Sequence, residues 1–543
     1  MSKPFLRQLI EQKAADLANQ PFLTFGDQVY SYGEIDRQGN RVAHLMLELG
    51  LQPGDRVAFL LPNSPEFIYS WLATIKLNLT LVSLNTQLKG EVLGYIAQHS
   101  EPSLLITTCA LLPEVENIAP ALPANCRWLV VDQENDQKET KQPGRPEVFS
   151  LAKMLAVASS DPLPEIAVRE DDPAMIIYTS GTTGHPKGVV IGRRAQTNHP
   201  LYYHREMLRT APGEVAFNYL PLFHVTAQGT TMGSFLGGGQ VSLATGFNVF
   251  GFWKQIRRSR AVVFPYLGAV LNMLNARPAR PDDADNPVRI AFGAAAPAEI
   301  WASFEKRFAL RLLETYGQSE WMAIWVLQPS DKPRIGAAGK APARCEVKVV
   351  DENDRDLPPG RLGQIIMRPA GPGLMMNGYY RQPELNARVF KDGWFYTGDA
   401  GELDADGYLY FRGRLKDYIR RRGENISAFE IERVVNCHPA IQESAVVGVP
   451  SALGEEEVKL CVVLKPGQAL DEETLWQYCK AGLPRFMVPR YIEILTEFPR
   501  TATQRVRKFL LAANGSGSVW DRKKSVKNTN RPIKPKIVNL VIE

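Results

Sequence analysis

The chain has 543 residues, 45% of them hydrophobic and 22% charged, a composition that can bury a large core and that excludes collagen-like, low-complexity or mostly disordered chains. No apolar run approaches the roughly 18 residues of a membrane span, so no integral membrane contact is expected. The net charge of +5 resides in residues 514–543, whose seven Lys/Arg and two acids leave the rest of the chain balanced, so the folded body offers no basic face for nucleic acid.

Met1 to Leu23 contains Glu11, Lys13 and Asp16 and lacks a continuous apolar core, so no secretory signal is expected. Tyr32 to Leu49 reads as an amphipathic helix with Ser31 as N-cap, ending at Gly50. Arg56 to Leu61 reads as a strand, Pro65 to Leu77 as a helix and Leu79 to Leu84 as a strand, and helices alternating with strands imply helix-covered parallel sheets. The alternation returns with strands at Val241 to Ala244 and Ala261 to Phe264 around a helix at Trp253 to Arg258. The helix Ala298 to Phe308 then leads to the strand Arg311 to Glu314. Beyond residue 335, short runs at Val347 to Val350, Gly363 to Met367, Gly401 to Leu403 and Tyr408 to Phe411, with turns such as Asp406-Gly407, predict antiparallel hairpins. Helices at Ile431 to Cys437 and Glu472 to Cys479 with strands at Ser444 to Val449 and Val458 to Leu464 predict a compact α+β unit of about 100 residues. Asn514 to Ser518 reads as a linker to the basic tail.

Six scattered cysteines without a C-x-x-C pair predict reduced thiols in a cytoplasmic protein. Seven histidines without H-E-x-x-H or a Cys/His cluster argue against a structural zinc site.

The chemistry concentrates after the strand Met175 to Tyr178, in Thr179-Ser180-Gly181-Thr182-Thr183-Gly184-His185-Pro186-Lys187-Gly188. Glycines let backbone N–H groups approach an anion, hydroxyls donate hydrogen bonds and Lys187 adds a point charge, a set suited to a polyphosphate. Ser, Thr and Gly also gather in ordinary solvent loops. No Gly-Lys pair is followed by Ser or Thr, so the segment is not a Walker-type P-loop.

Tyr178 to Gly188 closely resembles the phosphate-loop signature of the acyl-adenylate-forming (AMP-binding) superfamily. Tyr316-Gly317-Gln318-Ser319-Glu320 resembles its Y-G-x-[ST]-E segment, Tyr396-Thr397-Gly398-Asp399 its T-G-D and Gly413-Arg414-Leu415-Lys416-Asp417 its hinge motif, all in the family's order. The resemblance spans roughly residues 20–511 and points to the acyl-CoA synthetase branch. It implies an α/β fold: a large N-terminal adenylation domain of helix-covered sheets with a β-rich subdomain (residues 1–413), a small mobile α+β domain (414–513) and a basic flexible tail (514–543).

Carried onto this sequence, the resemblance implies ATP, Mg²⁺ and coenzyme A as cofactors, with a small-molecule carboxylic acid as partner. The loop Thr179 to Gly184 and Lys187 would bind phosphates. Tyr316, beside Gly317 and Gln318, would stack on adenine, and Gly293 to Pro297, with Ala294 and Ala295, would line the adenine and acyl pockets. Asp399 would accept both ribose hydroxyls and Arg414 contact the ribose. Ser319 would meet the α-phosphate and Glu320 hold Mg²⁺. His224 would border the acyl carboxylate, although a His beside Phe and Leu is also an ordinary partly buried side chain. Lys416 would be the hinge, and Gly423 would face the thiol channel.

Two departures stand out. Where the family typically has P-x-T-x-x-G-K-x-x-K, this chain has Pro499-Arg500-Thr501-Ala502-Thr503-Gln504-Arg505-Val506-Arg507-Lys508, so Arg505 is the expected substitute for the catalytic lysine, with Lys508 second. Lys76-Leu77-Asn78-Leu79 stands where the family often has Gly near Asn78. The expected function is an ATP-dependent acid–CoA ligase working through acyl-AMP. The alternatives are an adenylation enzyme loading a carrier protein in trans and a non-catalytic acyl-adenylate binder. A weaker resemblance, in Pro297 to Phe304, Phe252-Trp253 to Leu267 and Trp520-Asp521, is to crotonobetaine/carnitine-CoA ligases, so a small acid of that kind or a fatty acid is the expected substrate. The sequence carries no signal for oligomeric state.

Overall fold

The computed structural model describes residues 4–131, 148–179, 186–322, 325–329, 331–415, 418–421, 424–450, 456–500, 506–513 and 519–522. Contacts divide the chain into two units, residues 1–397 with 402–411, and residues 398–401 with 412–543.

The large unit is built on two eight-stranded sheets. In one, the order is Val326–Leu327, Arg311–Tyr316, Ile290–Ala294, Ala261–Leu267, Val215–Asn218, Gln240–Leu243, Pro21–Phe25, Gln28–Ser31. The strands from Arg311–Tyr316 through Pro21–Phe25 are mutually parallel. The other sheet runs Gly378–Tyr379, Lys187–Gly192, Pro173–Thr179, Thr80–Ser83, Arg56–Leu60, Leu104–Thr107, Arg127–Val130, Val148–Ser150. Its inner strands are parallel from Pro173–Thr179 onward, and Lys187–Gly192 folds back antiparallel. A five-stranded sheet containing Cys345–Val350, Gly363–Pro369 and Trp394–Leu403 forms the β-rich part.

Local chemistry places these elements. Ser31 caps the helix Tyr32–Glu48 as expected: its hydroxyl accepts from the Glu34 N–H (3.2 Å) and its own N–H donates to the Glu34 carboxylate (2.6 Å). The helix Ala298–Phe308 buries Trp301, Phe304 and Phe308, one face at helical spacing. The helix Pro65–Lys76 stops before Asn78, whose φ of +55° is a left-handed conformation that glycine adopts without strain and asparagine tolerates better than most residues, so Asn78 can stand where the family often has a nearby Gly. Lys76 itself is buried, its Nζ 2.6 Å from both the Asp36 carboxylate and the Asn40 side-chain oxygen.

The small unit has a four-stranded sheet, Ile441–Pro450, Glu456–Leu464, Tyr491–Leu495, Trp520–Asp521, with the helices Ala428–Asn436 and Glu472–Gly482 packed through Ile431, Val435, Trp476 and Cys479 against Leu460 and Ile492. Lys459 is fully buried on it and pairs with Glu493 at 2.8 Å.

Candidate active site

In an open parallel sheet, ligands bind outside the carboxyl ends of the strands. Three of the segments singled out in the sequence leave the first sheet at such ends. Pro221 to His224 follow Val215–Asn218, Ala295 to Pro297 follow Ile290–Ala294, and Gly317 to Glu320 follow Arg311–Tyr316. In the second sheet, Thr179 ends the strand parallel to Thr80–Ser83 and pairs directly with Lys187 across the antiparallel ladder. The two ends of the phosphate-loop segment are thereby held side by side, while Ser180, Gly181, Thr182, Thr183 and Gly184 lie outside the described residues. Gly188 is needed for this approach, because a Cβ there would come within 2.9 Å of Ile176.

Glu320 is buried, and its Oε1 accepts a 2.8 Å hydrogen bond from the Tyr379 hydroxyl. The Lys187 ammonium sits 5.1 Å from the centre of the same Tyr379 ring. Tyr379 is delivered there by the two-residue strand Gly378–Tyr379, which pairs with Val189 and Val190 just beyond Lys187. Two charged residues 133 positions apart in sequence thus share one aromatic side chain. Tyr316 is buried at the end of its strand, its ring 5.0 Å from Trp321 and 5.5 Å from Phe411. The Gln318 amide donates to the Thr397 carbonyl at 3.3 Å. Gly317 and Ser319 lie in the same connection.

Ala294 ends its strand, and Ala295 is exposed with a left-handed φ of +63°. Its N–H donates to Glu314 Oε1 (2.6 Å), and the Ala296 N–H (3.0 Å) and the Tyr266 hydroxyl (2.6 Å) both donate to Glu314 Oε2. Burial pushes the Glu314 carboxyl up to about 7, opposed by those three donors. His224 stands at the N-cap of the helix Val225–Gly237 without a side-chain capping bond, its ring 4.6 Å from Phe223.

In the small unit, Asp399 is buried and its Oδ1 lies 3.5 Å from Arg414 Nε, so two of the residues singled out in separate motifs meet. Lys508 pairs with Glu432 at 2.8 Å. Lys416, Gly423, Arg505 and the 514–518 linker lie outside the described residues. Tyr379, Tyr266 and Glu314 were missed by sequence reasoning. Glu314 alone left a trace there, as a lone acid inside the apolar strand Arg311–Tyr316, whereas nothing near Tyr379 marks it.

The model of the AMP-binding enzyme family matches residues 10–380, and that of the AMP-binding enzyme C-terminal domain matches residues 430–505. The chain belongs to the AMP-binding enzyme family. Within it, the chain is 33% identical over 518 residues to the crotonobetaine/carnitine–CoA ligase of Salmonella typhi, covering 93% of this chain and 98% of that one. Among solved structures, ATP-bound MatB from Rhodopseudomonas palustris superposes with a TM-score of 0.82 at 26% identity, over 94% of this chain and 98% of that one. The anthranilate CoA ligase AuaEII in complex with anthranoyl-AMP shares the fold at a TM-score of 0.83 and 24% identity, over 94% and 97%. This AMP-binding enzyme is an AMP-forming acid–thiol ligase of the acyl-CoA synthetase type, and ATP, coenzyme A and a carboxylic acid are the substrates of such ligases. Among the described residues no helix is long and apolar enough to cross a membrane.

Proposed function

We propose that this ligase activates a small carboxylic acid of the kind handled by crotonobetaine/carnitine–CoA ligases and transfers it to coenzyme A in the cytoplasm. The convergence of Lys187 and Glu320 on Tyr379, at the carboxyl edges of the sheets, carries the reading of the site. The substrate class rests on 33% identity along 93% of the chain to a ligase of that name.

A carboxylate is a poor electrophile and must first gain a leaving group. Its oxygen attacks the α-phosphorus of ATP, the bond to the β-phosphate oxygen breaks, and acyl-AMP and pyrophosphate result. The protein's part is positioning and charge neutralisation. Lys187 and the loop Thr179 to Gly184 hold phosphates, Ser319 the α-phosphate, and Arg505 supplies the charge that the family draws from a lysine. Lys508 is the weaker candidate for that role, since Glu432 already engages it. Tyr316, Ala294 and Ala295 frame adenine and the acyl group, Asp399 and Arg414 hold the ribose, and His224 borders the acid. Lys416 is the hinge, and Gly423 leaves room for the thiol that then displaces AMP.

The residues fit Mg²⁺. Glu320 is a hard oxygen ligand oriented by Tyr379, and among the described residues no cluster of three acidic, His or Cys side chains forms a protein cage. Mg²⁺ is typically held by one or two carboxylates together with substrate phosphates. It would supply charge neutralisation at those phosphates.

Pyrophosphate release from a panel of carboxylic acids, with and without coenzyme A, tests the reading. Release with carnitine or crotonobetaine above other acids is expected. Turnover confined to long-chain or aromatic acids would overturn the substrate class.

A further inference from the structure

We propose that Glu314 is a positioning residue of the ligase reaction, acting with Tyr266 to hold Ala295 and Ala296 in the turn that walls the acyl-adenylate site. The proposal rests on the reading of Ala294 to Pro297 as the lining of that site.

The turn has a strained conformation and one anchor. Ala295 carries a φ of +63°, which costs an alanine energy that glycine would not pay, so something must hold it. Its carbonyl oxygen packs where only a glycine fits, since a Cβ on Gly268 would lie 1.8 Å from it. On the other side, the two N–H groups of Ala295 and Ala296 both point at one buried carboxylate, one on each oxygen. The Tyr266 hydroxyl, from the adjacent strand Ala261–Leu267, braces the second oxygen. A carboxylate is the side chain suited to this task, because it is acceptor-only on both oxygens. An amide in its place would turn an N–H₂ donor toward a backbone N–H donor. Ala295 is exposed while Glu314 is buried beneath it, so the carboxylate acts on any ligand at the turn through the backbone.

Among the described residues, the titratable groups facing the pair are few. Tyr266 comes from its strand, Glu305 from the helix Ala298–Phe308 acts on Tyr266, and the strand Ile290–Ala294 brings none. Burial places the Glu314 carboxyl at about 7, so it titrates within the working range. Protonation turns one acceptor into a donor and removes the charge that strengthens both backbone bonds, so the turn is held most firmly above pH 7.

The test is the pH dependence of acid-dependent pyrophosphate release by the full chain, with KM for acid and for ATP measured separately between pH 5.5 and 8.5. The wild type is expected to lose kcat/KM for the acid as pH falls through about 7. Glu314→Gln should lower kcat/KM at high pH by roughly 10- to 100-fold, mainly through KM, and should abolish the acidic limb. Ala295→Gly in the Glu314→Gln background should recover part of the loss, since glycine needs no anchor at that φ. An acidic limb that persists in Glu314→Gln overturns the proposal. So does a loss that follows the melting temperature and is not rescued by Ala295→Gly, because that marks Glu314 as a fold residue only. Wild-type protein that releases no pyrophosphate with any acid would overturn the ligase reading itself, a result separate from any difference between variants.

Discussion

Tyr379→Phe isolates one hydroxyl at the centre of the site. The phenol donates to Glu320 Oε1 at 2.8 Å, and both side chains are buried. A hydrogen bond to a charged group contributes about 1.5–3 kcal/mol. At about 1.4 kcal/mol per tenfold, its loss should weaken whatever the oriented carboxylate holds by roughly 10- to 150-fold. The ring remains, so the Lys187 contact at 5.1 Å is retained and the two roles separate. The assay is pyrophosphate release against Mg²⁺ concentration at fixed ATP, with a melting curve as control. The half-saturating Mg²⁺ should rise by that factor while the melting temperature shifts little. An unchanged Mg²⁺ dependence would refute the placement of the metal at Glu320.

Asp399→Ala should weaken ATP binding by about 1.5–3 kcal/mol for each ribose hydrogen bond lost, read by calorimetric titration; unchanged affinity would remove Asp399 from the ribose site. Arg505→Ala should slow acyl-AMP formation by about 10²–10³, leave thioester formation from supplied acyl-AMP intact, and be partly restored in Arg505→Lys. Normal adenylation by Arg505→Ala alongside failure of Lys508→Ala would move the role three residues on. Asp36→Ala strands the buried Lys76 ammonium with Asn40 alone and should cost about 3 kcal/mol in urea unfolding, near the lower end for breaking a buried pair because Asp36 is 19% exposed. Lys76→Met should cost less than Asp36→Ala, since the carboxylate it leaves unpaired still reaches solvent whereas the Lys76 ammonium is buried.

Where structure follows from local signals, the sequence was legible. Pro297 and the Trp301, Phe304, Phe308 spacing set the helix Ala298–Phe308, which was read residue for residue, and Ser31 with Glu34 fixed the start of Tyr32–Glu48. The antiparallel return of Lys187–Gly192 was not read, because a strand's partner depends on the hairpin geometry of the intervening loop and not on its own apolar pattern. The same limit applies at the site. Glu320 and Tyr379 are 59 residues apart and belong to different sheets of the large unit, and Tyr266 and Glu314 are 48 apart on the two strands that flank Ile290–Ala294. Motif order singled out Lys187 and Glu320 but could not supply the tyrosine hydroxyls that reach Glu320 and Glu314. Asn78, a departure when read in sequence, holds a left-handed φ of +55° that asparagine tolerates better than most residues.

Acyl-AMP formation is tested most directly by following an oxygen atom. With the acid carboxylate labelled with oxygen-18, ATP and coenzyme A, attack of a carboxylate oxygen on the α-phosphorus leaves that oxygen on AMP once the thiol displaces it. Mass spectrometry should find one labelled oxygen in AMP and none in pyrophosphate. Label in inorganic phosphate or pyrophosphate, or thioester formed with unlabelled AMP, would contradict the acyl-adenylate route.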